Sequence, residues 1–274
     1  MDPFFERIAA QIGEVPGVAA VALGGSRARG QADAESDSDF GIYYDPDAPP
    51  DLEHLSEVAR KIDDRHPAEP LTPIGGWRPW INGGGWLVID GRRVDWIFRD
   101  LDRVAAAISD ACEGRITSHY QPGHPHAFHN FIYAGEVHHA AALFDPQRRL
   151  ELLRRSTVPY PAALQRAIVN GFLWESEFAL RTAETSVKRG DHYHATGSFF
   201  RSVACVIQVL FALNGRWFVN EKRSAEVVKS FARRPPGFGE FVESMFSGIA
   251  VPLPEKLVRL RALAEQTRDL AAST

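Results

Sequence analysis

The sequence predicts an α/β (α+β) fold, in which an N-terminal α/β domain is followed by a C-terminal α-helical bundle. Two observations predict it. Short apolar runs that end at glycine turns dominate the chain up to about residue 115, whereas long segments with helical spacing dominate its C-terminal part. We therefore divide the chain into an N-terminal domain at 1–115, a connecting segment at 116–155 and a helical bundle at 156–274.

The N-terminal half alternates helices and strands. Apolar residues with helical spacing predict helices near residues 4–12 and 51–65. Short apolar runs predict buried strands at residues 17–23 and 40–44, the first ending at a Gly-Gly pair and the second at an Asp-Pro pair.

A hairpin follows. Asp90-Gly91 separates two apolar runs at residues 86–89 and 94–98, and this pair favours a tight turn because both residues accept a positive φ. Asp100 or Asp102 then caps a helix that Gly114 ends.

The C-terminal part is predominantly helical. The stretch 115–135 has no clear period and is interpreted as an ordered loop. Pro161 suits the first turn of a helix that ends at Gly190, and a second helix is predicted from Ala195 to Leu213. Pro254 opens a last helix.

Composition and charge exclude several classes of protein. The chain has 274 residues, of which 45% are hydrophobic and 24% charged, as in ordinary globular proteins, so a disordered or fibrous chain is excluded. Lys and Arg number 31 and Asp and Glu 35, a formal net charge of −4. An acidic chain is a poor candidate for non-specific nucleic-acid binding, which needs a basic surface.

Cysteine usage and apolar runs indicate the compartment. Cys112 and Cys205 are far apart in sequence, which argues against a disulfide scaffold or a cysteine zinc site. The N-terminus is acidic where a secretory signal is basic. The longest apolar run, Val203–Leu213, is shorter than the roughly 20 residues of a membrane span. We expect a cytoplasmic protein without a membrane anchor.

The most informative stretch is Leu23–Tyr44, LGGSRARGQADAESDSDFGIYY. Glycines after a strand allow backbone N–H groups to approach a phosphate closely, and Ser26 adds a hydroxyl donor. Asp37 and Asp39 are two residues apart where a strand begins, so their carboxylates share one face. Like charges at that distance repel each other unless a cation lies between them, and Mg²⁺ prefers such oxygen ligands.

A third carboxylate is Asp95, which lies in the apolar run Val94–Phe98. A buried carboxylate without a partner is costly, so a role in chemistry is favoured over chance. If this strand pairs near the strand of Asp39, three carboxylates converge on one edge of a sheet. That is a ligand set for two metal ions that activate an attacking oxygen and stabilise a leaving pyrophosphate.

These motifs together resemble a known family. The Gly-Gly-Ser turn, the Ser-Asp-Ser-Asp-Phe segment and the later lone Asp95 are similar to the nucleotidyltransferase fold shared by DNA polymerase beta. The closer resemblance is to bacterial nucleotidyltransferases that adenylylate aminoglycosides and lincosamides. One departure is Ser38, where the family usually has an aliphatic residue; a polar side chain is tolerated there if it meets solvent or a neighbouring hydroxyl.

The resemblance implies a small mixed sheet, residues 1–115 as the catalytic domain, and transfer of a nucleoside monophosphate from ATP or another NTP to a hydroxyl of a small molecule, such as an antibiotic. It further implies three catalytic, metal-binding acids for two Mg²⁺ ions and a phosphate-binding turn with neighbouring arginines: Asp37, Asp39 and Asp95, and Gly24, Gly25, Ser26, Arg27 and Arg29. The alternatives are modification of a protein or RNA partner, as in toxin–antitoxin pairs, and an inactive nucleotide-binding relative.

Three further questions stay open in the sequence. The acceptor and the oligomeric state have no signature. Glu175 or Glu177 is an alternative to Asp95 as a general base, although each is also an ordinary helix-surface residue. The histidines between His119 and His129 match no zinc template, so a substrate-facing loop or a polar surface is favoured over a metal site.

Overall fold

The computed structural model describes residues 2–30, 33, 36–247 and 251–273. They fall into two compact units. The first, here called the sheet unit, lies within residues 1–110, 118–121 and 128–159. The second, here called the helical unit, lies within residues 111–117, 122–127 and 160–274.

Helices and strands alternate through the first 155 residues, in the order α1 (Pro3–Gly13), β1 (Val18–Leu23), α2 (Gly25–Ala28), β2 (Ser38–Tyr44), α3 (Leu52–Ile62), β3 (Gly84–Ile89), β4 (Arg92–Asp100), α4 (Leu101–Glu113), β5 (Ser118–His119), β6 (Phe128–His129), α5 (Ile132–His139), β7 (Ala141–Phe144) and α6 (Arg149–Arg155). The helices and strands predicted up to residue 114 are all present. Asp2 starts α1 because its side chain accepts a hydrogen bond of 2.9 Å from the Phe4 N–H.

The main sheet has the strand order β3-β4-β2-β1-β7. Strands β2 and β4 run parallel, whereas the other neighbouring pairs are antiparallel, so the predicted mixed sheet is confirmed. The predicted hairpin is also confirmed, since β3 and β4 pair from Gly84↔Ile97 to Ile89↔Arg92. At its turn Asp90 and Gly91 have φ values of 51° and 71°.

One face of this sheet carries the core of the unit. Alternate residues of β2 and β4, such as Phe40 and Trp96, are fully buried on it. Helix α1 covers that face with Phe5, Ile8 and Ile12. Because each strand places every second side chain in this core, the intervening side chains lie on the opposite face, where the candidate site is found.

The segment expected to connect the domains contains ordered structure. Residues 115–135, expected to be a loop, include the β5–β6 pair, with Ser118 opposite His129. Farther along, β7 joins the main sheet beside β1, with Leu23 opposite Ala141. Only four residues long, β7 gives too short an apolar run to stand out in the sequence.

The helical unit contains α7 (Ala162–Arg189), α8 (His192–Leu213), α9 (Ser224–Val228), α10 (Phe238–Phe246) and α11 (Leu253–Ala272). Helix α7 ends as predicted at Gly190, which has a φ of 70°. Helix α8 begins at His192 rather than Ala195, because the Asp191 side chain accepts a hydrogen bond of 3.1 Å from the His194 N–H and caps the helix there.

Helix α8 is long and apolar enough, by length and composition, to cross a membrane, with a mean hydropathy of 1.6 over its most apolar window. However, 72% of that window is buried inside the protein. This burial is typical of the core helix of a soluble protein.

Candidate active site

Asp39 and Asp95 lie side by side on neighbouring strands. Strands β2 and β4 are parallel, and their register pairs Asp39 with Asp95. Both side chains lie on the face opposite the core residues Phe40 and Trp96, and both are half-buried. The strand pairing on which the carboxylate cluster depends is therefore present.

Asp37 precedes the first residue of β2 and forms an ion pair. Its Oδ1 lies 2.6 Å from Nε of Arg93, whose side chain is 62% exposed. Arg93 is two residues before Asp95 on β4 and so shares its face. In this structure the Arg93 guanidinium thus supplies positive charge at the carboxylate cluster.

The Gly24-Gly25 turn packs directly against Asp39. The Gly24 N–H donates a hydrogen bond of 2.8 Å to the Asp39 carbonyl oxygen. Gly25 has a φ of +63°, and an ideal Cβ built on it would lie only 2.6 Å from Asp39 Cγ. A glycine is required here for two reasons, its backbone conformation and the space that the Asp39 carboxylate occupies.

The two arginines beyond this turn differ in their surroundings. Arg27 donates hydrogen bonds of 3.2 and 2.6 Å to the carbonyl oxygens of Asp37 and Ser36, so it holds the segment that leads into β2. Arg29 interacts electrostatically with Asp39 and Glu136: burial lowers the pKa of its guanidinium, and these two carboxylates oppose the shift. Ser26, directly before Arg27, is half-buried in α2.

A buried ion pair lies farther along the same face of the sheet. Arg99 of β4 donates two hydrogen bonds, each 2.8 Å long, to the carboxylate of Glu136 in α5. The Arg99 side chain is 5% exposed, and its guanidinium lies 5.3 Å from the centre of the Tyr133 ring. Burial raises the pKa of Tyr133 to about 12. Sequence reasoning missed this pair, because no pattern links β4 to a helix beyond the hairpin.

Aromatic rings lie beside Asp95 on its other side. Trp86 of β3 is the antiparallel register partner of Asp95 and is 64% exposed. Its ring stacks on Trp77, with ring centroids 4.4 Å apart and planes at 25°. Trp80 stacks separately on His119 at 4.2 Å. The tryptophan-rich segment therefore places an exposed, supported ring next to a candidate catalytic carboxylate.

Ser38, between Asp37 and Asp39, is on the core side of β2. It is 0% exposed, and its Oγ has no hydrogen-bond partner among the described residues. It meets neither solvent nor a hydroxyl, so the condition expected to make a polar residue acceptable is not fulfilled. The hydroxyl is buried at a net cost to stability.

The residues of the cluster fit divalent cations. Carboxylates are the ligands that Mg²⁺ prefers, and Asp39 and Asp95 present theirs from adjacent register positions with Asp37 close by in sequence. The Gly25 position provides an independent indication, because the absence of a Cβ there leaves room for the Asp39 carboxylate. This oxygen-rich donor set suits a hard cation rather than a softer transition metal.

Comparison with known families matches both parts of the chain. Residues 5–72 match the family described as nucleotidyltransferase domain. The chain carries a nucleotidyltransferase domain. The enzyme class that the resemblance implied is thereby confirmed, and such a domain implies a nucleoside triphosphate donor. The match includes the Gly24-Gly25 turn and Asp39 but ends before Asp95. Residues 133–222 match a second family, described as a domain of unknown function, DUF4037.

Other comparisons add little about this nucleotidyltransferase domain. Among solved structures, the chain is similar to a nucleotidyltransferase-like protein from Exiguobacterium sibiricum 255-15, with 9% identity over 98% of this chain and 76% of that chain, and a TM-score of 0.44. At that level of similarity, neither fold nor function is inferred from that protein. No curated protein matches the sequence.

The remaining candidate residues have partners of their own in the helical unit. Glu177 forms an ion pair with Arg268. Glu175 Oε1 accepts a hydrogen bond of 2.7 Å from Arg201 Nε and lies 3.3 Å from His126 Nε2. The hydrogen bond with His126 lowers the pKa of Glu175 to about 2, which makes it a weak base.

The histidines between 119 and 129 are divided between the two units. His119 and His129 belong to the sheet unit, whereas His124 and His126 belong to the helical unit. His129 contacts Ser118, and His124 lies 3.3 Å from the carboxylate of Glu221. His126 also lies near Cys205, a neighbour that the sequence analysis did not expect because the two residues are far apart in the chain.

Proposed function

We propose that the protein transfers a nucleoside monophosphate from an NTP, in the first instance ATP, to a hydroxyl group of a small molecule, with hydroxylated antibiotics as the leading acceptor class. The observation that carries the proposal is the register pairing of Asp39 with Asp95 beside the Gly24-Gly25 turn. It supports metal-binding carboxylates next to a phosphate-binding turn. The reaction forms a bond between the acceptor oxygen and the α-phosphorus and releases pyrophosphate.

In this proposal Asp37, Asp39 and Asp95 hold two Mg²⁺ ions, which lower the pKa of the acceptor hydroxyl and neutralise charge on the phosphates when bound. Arg93 would then release Asp37, which its 62% exposed side chain allows. Asp95 accepts the proton of the acceptor hydroxyl. Glu175 and Glu177 are poorer candidates for that role, because both are already paired with arginines.

The phosphate end of the donor is assigned to Gly24, Gly25, Ser26 and Arg29. The backbone N–H of Gly25 and the Ser26 hydroxyl serve as donors, and Arg29 offsets the charge that grows on pyrophosphate. Arg27 acts differently. Because its guanidinium binds the carbonyl oxygens of Ser36 and Asp37, we assign it to positioning the Asp37 segment.

The acceptor is assigned to the side of Asp95 that carries Trp86. An exposed indole supported by Trp77 offers a flat apolar surface to a sugar or other ring. A ring stacked there lies beside the carboxylate that takes its proton, since Trp86 and Asp95 are register partners.

We also propose that the protein works in the cytoplasm, where nucleoside triphosphates are available.

The test is a screen of the purified chain with each NTP and Mg²⁺ against a panel of hydroxylated antibiotics. Pyrophosphate release is measured, and mass spectrometry identifies a product heavier by one nucleoside monophosphate. A modified protein or tRNA in place of an antibiotic would overturn the small-molecule assignment. Absence of pyrophosphate release with every acceptor would support an inactive relative instead.

A further inference from the structure

A second group of metal-ligating side chains lies in the helical unit, and the proposed nucleotidyl transfer does not use it. His126, in the 122–127 segment, meets Glu175 of α7 and Cys205 of α8. His126 Nε2 lies 3.3 Å from Glu175 Oε1 and 3.6 Å from Cys205 Sγ. The three ligand atoms all lie within 4.8 Å of one another. Because they come from three separate segments, only the folded unit brings them together.

The separations from His126 Nε2 to Glu175 Oε1 and to Cys205 Sγ are those expected between ligand atoms that share one zinc ion. Bonds of about 2.0 Å to nitrogen and oxygen and about 2.3 Å to sulfur, at tetrahedral angles, place a nitrogen and an oxygen about 3.3 Å apart and a nitrogen and a sulfur about 3.5 Å apart. The observed values from His126 to Glu175 and to Cys205 are 3.3 and 3.6 Å. A zinc ion would therefore require little rearrangement of His126 relative to the other two side chains.

The chemical types of the three ligands also favour zinc over Mg²⁺. Imidazole, thiolate and carboxylate are the three ligand types that zinc takes in proteins, whereas Mg²⁺ prefers oxygen ligands only. The group is largely shielded from solvent, which reaches it on the side of Glu175: the side chain of His126 is 3% exposed and that of Glu175 24%, and Cys205 is fully buried. Burial strengthens electrostatic binding of a cation.

The surroundings already contain one cation. Arg201 Nε donates to the same Glu175 oxygen at 2.7 Å, and its side chain is 58% exposed, so it can turn toward solvent. A second carboxylate, Glu221, accepts a hydrogen bond of 3.0 Å from the His126 backbone N–H and so fixes that segment. The position of His126 is thus determined by the fold and not by the metal.

We propose that the helical unit binds one Zn²⁺ ion through His126 Nε2, Glu175 Oε1 and Cys205 Sγ. On binding, Cys205 releases its thiol proton to solvent, and solvent fills the remaining position on the metal. The ion ties the 122–127 segment to α7 and α8, and its binding raises the thermal stability of the protein.

The experiment uses the full-length protein, stripped with a chelator and titrated with Zn²⁺ in competition with a chromophoric chelator. We expect one equivalent of zinc per chain in the wild type and a higher melting temperature with zinc than without it. Cys205→Ala should lose binding. Cys112→Ala is the matched control, because Cys112 is exposed and outside the group, and it should bind as the wild type does.

Two further variants separate a metal site from a hydrogen-bonded cluster. Glu175→Gln should weaken zinc binding about 10-fold or more, because even the loss of a group that only supports a metal ligand costs about 10–100-fold. Arg201→Gln should strengthen it, because a competing cation is removed. Less than a tenth of an equivalent bound by the wild type, or unchanged binding in Cys205→Ala, overturns the proposal.

A spectroscopic readout covers the case in which Cys205→Ala does not fold. Co²⁺ replaces zinc in such sites, and a thiolate ligand gives it a charge-transfer band in the near ultraviolet. Wild type and Cys112→Ala should both show this band. Its absence from a wild-type protein loaded with Co²⁺ would exclude Cys205 as a ligand and overturn the assignment. Neither readout depends on nucleotidyl transfer.

Discussion

Asp39 and Asp95 face each other as register partners across the parallel strands β2 and β4. In sequence they are separated by a helix and a hairpin, yet the strand pairing places them on one face at adjacent positions. Two carboxylates so arranged repel each other at neutral pH unless cations lie beside them. This relationship makes this face of the sheet a candidate catalytic centre.

Replacing either acid with its amide should abolish transfer and leave the fold intact. Asp39→Asn and Asp95→Asn remove a metal-ligand charge but keep size and polarity, so turnover should fall by about 10³-fold or more, as expected when transition-state charge stabilisation is lost. Pyrophosphate release and circular dichroism check the two halves of the prediction. Asp47→Asn, at an exposed position away from the cluster, should retain wild-type turnover. Near-normal turnover in either variant would contradict the metal assignment.

Two glycines with the same backbone conformation should respond differently to alanine. Gly25 and Gly30 have φ values of +63° and +66°, so each substitution costs about 1 kcal/mol in the left-handed region. A Cβ on Gly25 meets the Asp39 carboxylate, whereas one on Gly30 meets no described atom within 4 Å. We expect Gly25→Ala to lose activity strongly and Gly30→Ala to keep most of it, measured as kcat/KM. Equal losses would show that backbone strain alone is responsible.

The Ser26 hydroxyl is expected to act on the leaving phosphates. Removing one preorganised donor lowers kcat by about 10²–10³. Ser26→Ala should therefore have a lower kcat but an unchanged affinity for Mg²⁺ at the acids. Calorimetry with Mg²⁺ measures that affinity separately. A change in metal affinity with unchanged kcat would place Ser26 at the metal rather than at the phosphates.

Trp86 should determine the affinity for the acceptor. Trp86→Ala removes an exposed ring beside Asp95, and the KM of the acceptor should rise about 10-fold, a typical loss for a truncated aromatic contact. The KM of the NTP should stay unchanged. Trp174→Ala is the control, since Trp174 is also 64% exposed and stacked on a ring, that of Phe178. An unchanged acceptor KM in Trp86→Ala would show that the acceptor does not bind at Trp86.

The Arg99–Glu136 pair should contribute more to the free energy of unfolding than an exposed ion pair does. Glu136→Gln leaves a 5% exposed guanidinium without its counter-ion, and breaking a buried pair costs about 3–5 kcal/mol in the free energy of unfolding. Glu151→Gln removes the more exposed pairs with Arg154 and Arg155 and should cost much less, because solvent screens exposed ion pairs. Urea unfolding of both variants measures the difference. Similar costs would show that Arg99 finds another partner.

Much of the fold was readable from local patterns. The Asp90-Gly91 turn predicted the hairpin, and Pro161 and Gly190 bounded α7, because turn and cap chemistry depends on neighbouring residues only. The candidate acids could also be identified from the sequence, since alternation within a strand predicts which side chains share a face.

The contacts that could not be predicted join residues far apart in the sequence. The sequence contains no sign that Arg99 meets Glu136 or that His126 meets Cys205, because these contacts depend on tertiary packing of distant segments. Ser38 is a different case, because local alternation is enough to place it. It lies between Asp37 and Asp39 and therefore on the core side of β2, where its buried hydroxyl is a cost to stability.

The way the chain alternates between its units also constrains how the protein can be made in parts. Strand β7 completes the sheet beside β1, yet it is translated after residues 111–117 and 122–127, which belong to the helical unit. A fragment stopped at residue 115 would leave one edge of β1 with open N–H and C=O groups, a template for aggregation. On the ribosome, the sheet can close only once residues 141–144 have emerged. A soluble fragment of the sheet unit should therefore extend at least through β7.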